Sequence, residues 1–344
     1  MNLVRNGLGA LLRLIKNLLL ANPKLRVLLY DLYNRDEFGN LYEHEKMLAD
    51  AVRVDTYKKG IQKHVGQGDL VLDLGTGSGI LAFFAAQQRP EKVYAVDHSE
   101  FIHVAQKIAE RNGFGNIEFV RSNSRNFDPE IRFDVIIHEQ IGDYLFNENM
   151  LQNLLDLKRR LLKPGGRILP GIFELYLEPV CLTASFKTPY LWENQLYGVD
   201  FSFLKEEQEA LAPFKPAAYR QEWFDARAVD HFLCVPEPIL RFDLNTLNSA
   251  DEIPRSIAIS RRVTSPGPLD SFCLYFKAAF DAELGFDTSP FSTRTHWGNC
   301  YFRMDGRNCG AGEIITGRLN MPDLLNITTW TVSLPSPETE SRTG

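Results

Sequence analysis

Val71-Leu72-Asp73-Leu74-Gly75-Thr76-Gly77-Ser78-Gly79-Ile80-Leu81 is an apolar strand that runs into a glycine turn and then into a helix. Glycines at 75, 77 and 79 let the backbone approach a ligand closely and expose the amides of a helix amino terminus to a negative group, so a nucleotide-shaped ligand is implied. A dinucleotide fingerprint would carry its third glycine at position 80, which is Ile80, and this disfavours a nicotinamide or flavin cofactor.

Outward from this turn, Val93-Tyr94-Ala95-Val96-Asp97 closes a second strand with a carboxylate where a ribose diol would sit. Leu162-Lys163-Pro164-Gly165-Gly166-Arg167 reads as a helix exit and glycine turn into a later strand. In combination the three segments resemble the class I methyltransferases, which use S-adenosylmethionine. The resemblance implies that Asp73, Gly75 and Gly77 line the cofactor and that Asp97 holds its ribose.

Short β-rich runs at 70–74, 92–96, 117–120, 133–137 and 167–169 alternate with helical stretches, which predicts a parallel sheet with helices on both faces. From 31 to 65 the pattern is helical, with Met47, Leu48, Val52 and Tyr57 expected on one face. After 169 the chain changes to alternating segments at 173–177, 232–235, 239–244, 271–276 and 328–334, read as antiparallel strands. The aromatic and proline-rich segment 187–220 interrupts them as a projecting arm, and 335–344 reads as a disordered tail. The organisation expected is therefore 1–65 as covering helices, 66–170 as a doubly wound Rossmann-like α/β domain, and 171–334 as an antiparallel, barrel-like β domain carrying the arm.

Bulk properties narrow the class. At 344 residues, 44% apolar and 24% charged, the chain is globular and long enough for two cores. A net charge of -6 gives no general field for nucleic acid, and no specific nucleic-acid partner is expected. Five cysteines without a CxxC pair indicate neither a disulfide framework nor a metal site, and a reducing, cytoplasmic compartment fits. The leucine-rich stretch 8–20 is interrupted by Arg13 and Lys16, too short for a membrane span of about 20 residues. It reads as a helix packing on the body or a partner, with membrane-surface contact as the alternative. Lys158, Arg159 and Arg160 read as a solvated helix end.

The most specific segment is His138-Glu139-Gln140-Ile141-Gly142-Asp143-Tyr144-Leu145-Phe146-Asn147-Glu148-Asn149-Met150, directly after the strand at 133–137. Two glutamates bracket a loop at the carboxyl end of a sheet strand, where ligands bind in such sheets. Paired carboxylates suit a planar guanidinium, whose forked donors match carboxylate oxygens bidentately.

With these residues the chain resembles the protein arginine methyltransferase family, from about residue 30 to 334. Glu139 and Glu148 match its double-glutamate loop, and Thr295-His296-Trp297 its Thr-His-Trp loop, preceded by Gly285-Phe286-Asp287-Thr288-Ser289-Pro290. His44-Glu45-Lys46-Met47-Leu48-Ala49-Asp50, followed by Arg53, matches its cofactor-covering helix, and Trp192-Glu193-Asn194 with Tyr197, Gly198 and Asp200 the start of its dimerisation arm. The resemblance implies a homodimer acting on arginine-containing proteins or peptides. It implies His44 and Met47 against the cofactor, Arg53 on its carboxylate, and Ser124 with Arg125 beside the adenine. Glu139 and Glu148 would grip the guanidinium, His296 would pair with Asp50, and Trp297 and Ile141 would wall the acceptor channel.

Departures from the family pattern sit close to the chemistry. Between the glutamates the family commonly reads Trp-Met-Gly-Tyr, against Gln140-Ile141-Gly142-Asp143 here, and Arg125 stands where an acidic residue often contacts the adenine amine. Two alternatives stay open on that ground: a small guanidine or amine as acceptor, or a catalytically silent chain that activates a partner subunit.

Overall fold

The computed structural model describes residues 40–183, 195–201, 221–224 and 228–335. The leucine-rich stretch, most of the arm with Trp192, and nearly all of the tail lie outside the described residues.

Helix α1 (Leu41–Ala49) starts at Asn40, whose side chain accepts from the Tyr42 amide. Helix α2 (Ala51–His64) follows at once, capped by Asp50. This break at Asp50 corrects the single helical face expected through Met47, Leu48, Val52 and Tyr57. Leu48 is exposed, and the buried face of α2 is Arg53, Tyr57, Gly60 and Ile61, the i, i+4, i+7, i+8 stripe of a helix pressed on a core.

The first sheet contains β1 (Leu70–Leu74), β2 (Lys92–Asp97), β3 (Ile117–Arg121), β4 (Phe133–His138) and β5 (Leu162–Leu169) in the order β3-β2-β1-β4-β5, all parallel. Helices α3 (Ile80–Ala86), α4 (Ile102–Arg111) and α5 (Met150–Leu161) connect these strands. Because β1 is followed on one side by β2 and flanked on the other by β4, the chain order reverses there. A crevice opens beyond the carboxyl ends of these two strands. Leu74 pairs with Val96 on one side and His138 on the other, so Gly75, Asp97 and Glu139 are set at adjacent strand ends by register alone.

The second domain is antiparallel. Strands β6 (Ile172–Leu182), β9 (Gln221–Phe224), β10 (Val229–Phe232), β13 (Gly267–Ala279) and β15 (Asn299–Cys309) form the order β10-β6-β13-β15-β9, with β11 (Leu240–Asp243) on β6 and β14 (Gly285–Asp287) on β13. A short sheet β12-β16-β17 (Ser256–Arg262, Ile314–Asn320, Thr331–Ser333) joins it through the bridge Cys234 to Val263. Among the described residues no continuous ladder closes these sheets into a barrel. A two-stranded hairpin, β7 (Gln195–Leu196) and β8 (Val199–Asp200), is the described part of the arm region.

The two domains share one apolar core, in which Tyr57, Ile61, Phe280, Phe286 and Trp297 meet the sheet residues Val71, Ile136 and Ile137. Of the basic residues that end α5, Arg159 is solvated as expected, but Lys158 and Arg160 are not. Lys158 Nζ donates to the carbonyls of Leu244, Asn245 and Leu247 at 2.9, 2.6 and 2.9 Å. Arg160 holds Asp156 and donates to the carbonyls of Phe127 and Ser124. No helix among the described residues is long and apolar enough to cross a membrane.

Candidate active site

The glycine turn begins the site. Gly75, Gly77 and Gly79 have φ of 72°, 49° and 87°, the left-handed region that side chains resist. At Gly77 a Cβ would also strike the His44 ring, 2.8 Å from its Cε1. His44 is buried, stacked on Phe101 with ring centroids 3.8 Å apart, and so closes α1 over the turn.

Asp97 ends β2 with its carboxylate fixed from both sides. Gly77 N donates to Oδ2 at 2.9 Å and Ser99 N to Oδ1 at 2.8 Å, leaving further lone pairs for a ligand hydroxyl. Asp73 is fully buried and accepts from Thr76 Oγ1 at 2.6 Å; burial, opposed by that bond and reinforced by Asp97, raises its pKa to about 7.

Asp50 joins three parts of the molecule. Its Oδ1 accepts from Arg53 N at 3.0 Å, capping α2, while Oδ2 accepts from His296 N at 2.9 Å and pairs with His296 Nδ1 at 2.8 Å. Burial alone would raise this carboxyl, but the His296 side chain and the Arg53 and His296 amides outweigh it and hold the group below its ordinary range. An ionised Asp50 is acceptor-only, so His296 Nδ1 carries a proton and Nε2 is the ring atom left to exchange one.

Arg53 lies one turn into α2, 5% exposed, between the cofactor turn and the double-glutamate loop. Its Nη2 donates to the Met47 carbonyl at 2.6 Å and its Nη1 meets Glu139 Oε2 at 3.2 Å. Its Nε is buried and has no partner. Arg53 and Glu139 are therefore in direct contact, whereas the sequence reading gave them separate ligands. Burial pushes the Glu139 carboxyl up; Arg53 and His296 pull it back and Asp50 adds to the rise.

The loop after β4 is held from behind. Tyr57 Oη donates to the His138 carbonyl at 2.9 Å, and Trp297 Nε1 donates to the Ile141 carbonyl at 2.9 Å. Trp297 stacks on Phe286 and is 7% exposed, and the Ile141 side chain is 2% exposed, so both belong to the core beneath the loop. Gln140, the residue in place of tryptophan, accepts from Asn153 Nδ2 at 3.2 Å. Asp143 is exposed at the surface of the loop; partial burial raises its carboxyl, against the pull of His296 and Lys46.

One cleft of about 780 Å³ gathers His44, Met47, Arg53, Gly75, Gly77, Asp97, Glu139 and Glu148. A smaller adjoining recess contains Asp97, Ser124, Arg125, Gln140 and Asn153. Asp50 and His296 border this region through Arg53 and Glu139. Sequence reasoning missed the loop supports Tyr57 and Arg160, which act through backbone carbonyls and leave no motif. It also missed Asn123, His98 and Asn153 in the recess. Away from the cleft, Cys181, Asp230 and His231 place ligand-type atoms within 4.8 Å of one another, around the 2.7 Å pair of His231 Nδ1 with Asp230 Oδ2.

The arrangement fits a nucleoside with a charged tail. The glycine turn and Asp97 border the sugar end, the Gly75, Gly77 and Gly79 amides donating to the Val96 carbonyl, Asp97 Oδ2 and the Thr76 carbonyl rather than to a ligand. The buried guanidinium of Arg53 suits a carboxylate, and two glutamates beyond it suit a cation.

Comparison with known proteins agrees with this geometry. A methyltransferase domain matches residues 71–166, and an arginine methyltransferase oligomerization subdomain matches residues 173–331. Protein arginine N-methyltransferase 6 of Danio rerio is 31% identical over 278 residues, 78% of each chain. Protein arginine N-methyltransferase 1 of Dictyostelium discoideum is 30% identical over 297 residues, 84% of each chain. The solved Trypanosoma brucei PRMT1 enzyme-prozyme heterotetrameric complex with AdoHcy has the same fold, with a TM-score of 0.72 at 24% identity over 88% of this chain and 96% of that one. With both halves of the fold matched, and 30–31% identity sustained over 78–84% of the chain, the chain belongs to the protein arginine N-methyltransferase family.

Proposed function

We propose that this chain transfers methyl groups from S-adenosylmethionine to guanidinium nitrogens of arginine in proteins or peptides. The observation that carries the reading is the single cleft shared by the glycine turn, Asp97, Arg53, Glu139 and Glu148. When bound, S-adenosylmethionine supplies a sulfonium methyl, an electrophile that needs alignment more than activation.

Each residue's part follows from its chemistry. Asp97 accepts from the ribose hydroxyls, His44 and Met47 cover the donor from α1, and Ser124 and Arg125 flank the base. Arg53 takes the donor's carboxylate and, through its contact with Glu139, opposes the rise that burial gives the Glu139 carboxyl. Glu139 and Glu148 bind the acceptor guanidinium, which is protonated and delocalised in water, and hold its charge away from the attacking nitrogen. The methylated nitrogen becomes far more acidic, and its proton passes to a Glu148 carboxylate oxygen or to His296 Nε2, with Asp50 stabilising the resulting imidazolium. Trp297 and Ile141 act from behind the loop by fixing its backbone.

Incubation with arginine-rich peptides and labelled donor tests the reading. Methylarginine is the expected product. Label found only on small guanidines would support the metabolite acceptor, and donor binding without turnover would support the silent subunit.

The same reading includes a homodimer formed through the arm, supported by the match to the oligomerization subdomain. It also includes a cytoplasmic location, supported by five buried cysteines that form no disulfide. Light scattering at twice the chain mass is expected for the first; a monomer at micromolar concentration would contradict it. Cell fractionation tests the second.

A further inference from the structure

In the antiparallel domain, β10 pairs with β6 out of step. Val229 lies opposite Leu182 and His231 opposite Cys181, so two residues of β10 are set against one of β6 and Asp230 is the extra residue of a bulge. The packing agrees. Val229 and Phe232 pack with one apolar cluster and Leu233 with the other, whereas unbroken alternation would put Val229 with Leu233. The bulge thereby gathers Asp230 and His231, which a regular strand would send to opposite faces, and His231 Nδ1 meets Asp230 Oδ2 at 2.7 Å.

Across the pairing, the Cys181 side chain is buried, and its ligand-type atom and those of Asp230 and His231 all lie within 4.8 Å of one another. Gly267 seats the other edge of the ring. A Cβ there would come 3.1 Å from His231 Nε2, so a larger residue would crowd the imidazole out of this position. No CxxC spacing announces the cluster, because its members come from two strands joined by pairing.

A thiolate, an imidazole and a carboxylate are ligands of tetrahedral zinc, with bonds of about 2.3 Å to sulfur and about 2.0–2.2 Å to nitrogen and oxygen. Ligand atoms on such a centre stand about 3.5 Å apart, so the cluster needs an adjustment of about 1 Å. Rotation of the exposed Asp230 side chain and the partly exposed His231 ring supplies it. A thiolate beside imidazole favours zinc over magnesium or calcium, which take oxygen ligands.

We propose that Cys181, Asp230 and His231 form a zinc site that ties β10 to β6, with water as the fourth ligand on the exposed Asp230 side. On binding, the Cys181 thiol gives up its proton to solvent, and Nδ1 presents its lone pair while the ring proton sits on Nε2. None of the three residues lines the donor cleft, so the site stands independently of the donor and the acceptor.

Cobalt titration of the untagged full chain, stripped of metal and kept reduced, tests it, because thiolate-bound Co²⁺ absorbs through sulfur-to-metal charge transfer. The wild-type chain is expected to show that band at one equivalent, and Zn²⁺ to displace the cobalt and raise the melting temperature. Cys181→Ser should lose the band. Asp230→Asn and His231→Gln should each weaken zinc at least about tenfold, the scale for losing even a residue that only orients a ligand. These two lie at exposed or partly exposed positions, so they carry the test if Cys181→Ser does not fold. A wild-type chain without the band in excess cobalt would overturn the proposal. So would a band that survives in folded Cys181→Ser, or zinc affinity unchanged in both of the other variants.

Discussion

Single residues here carry several duties, and Asp50 carries the most. It caps α2, fixes the His296 ring and lies within one turn of Arg53. Losing a helix cap and a charge-assisted bond together gives an expected cost of about 3 kcal/mol for Asp50→Ala, read from the denaturation midpoint. A change under about 0.5 kcal/mol, the size of an ordinary surface substitution, would contradict the assigned geometry. Because the Asp50 pKa is depressed in the fold, its contribution is present above the ordinary carboxylate value and is lost as pH falls through the folded one. Asp73 has the opposite sign. Its folded pKa of about 7 means that its contribution is full below its unfolded value, near 4, and is lost as pH rises through about 7. Asp73→Asn should flatten the slope of stability against pH between these limits, by at most about 1.4 kcal/mol per pH unit. An unchanged slope would show that the buried carboxyl titrates normally.

Among the elements, α2 is the spine of the site. Arg53 faces the cleft, Tyr57 holds the end of β4, Gly60 lies against the Phe280 ring, and His64 reaches Asp281 at 2.7 Å. A methyl at Gly60 would drive into that ring, so Gly60→Ala is expected to destabilise by about 1–3 kcal/mol through overpacking between the domains, despite alanine's better helix propensity. A higher melting temperature for Gly60→Ala would contradict that packing. The parallel sheet was legible because its buried strands are continuous apolar runs punctuated by glycine, and each expected run falls within an observed strand. The antiparallel domain was only partly so. Runs 173–177 and 271–276 lie inside β6 and β13, but 232–235 overlaps β10 only at Phe232, and β12, β15 and β16 went unread. In β12 and β15 the inward positions include Arg261 and Arg303, both buried, and Arg261 pairs with the buried Glu178 at 2.6 Å. Charged residues facing inward erase the alternation that marks a half-buried strand. The split between α1 and α2 was missed because Asp50 was read only as the partner of His296, whereas the same carboxylate also caps α2 through the Arg53 amide.

For the whole molecule, the topology brings donor and acceptor machinery together. The switch point between β1 and β4 puts Gly75 beside Glu139, and the antiparallel domain supplies His296 and Trp297 from the opposite side. Gln140, Ile141 and Asp143 bear on which acceptor enters. Gln140 is tied to Asn153, and the Ile141 side chain lies in the core, so Asp143 is the departure that presents a charge at the loop surface. Methylation of arginine in this cleft is tested by mass spectrometry of products. The purified chain and Glu139→Gln are incubated with S-adenosylmethionine and a mixed panel of arginine-rich peptides and small guanidines. Methylarginine on the peptides is expected, with a rate at least about 100-fold lower in Glu139→Gln, the scale of losing one charged group that acts in the transition state. Peptides left unmodified while S-adenosylhomocysteine still binds would contradict it.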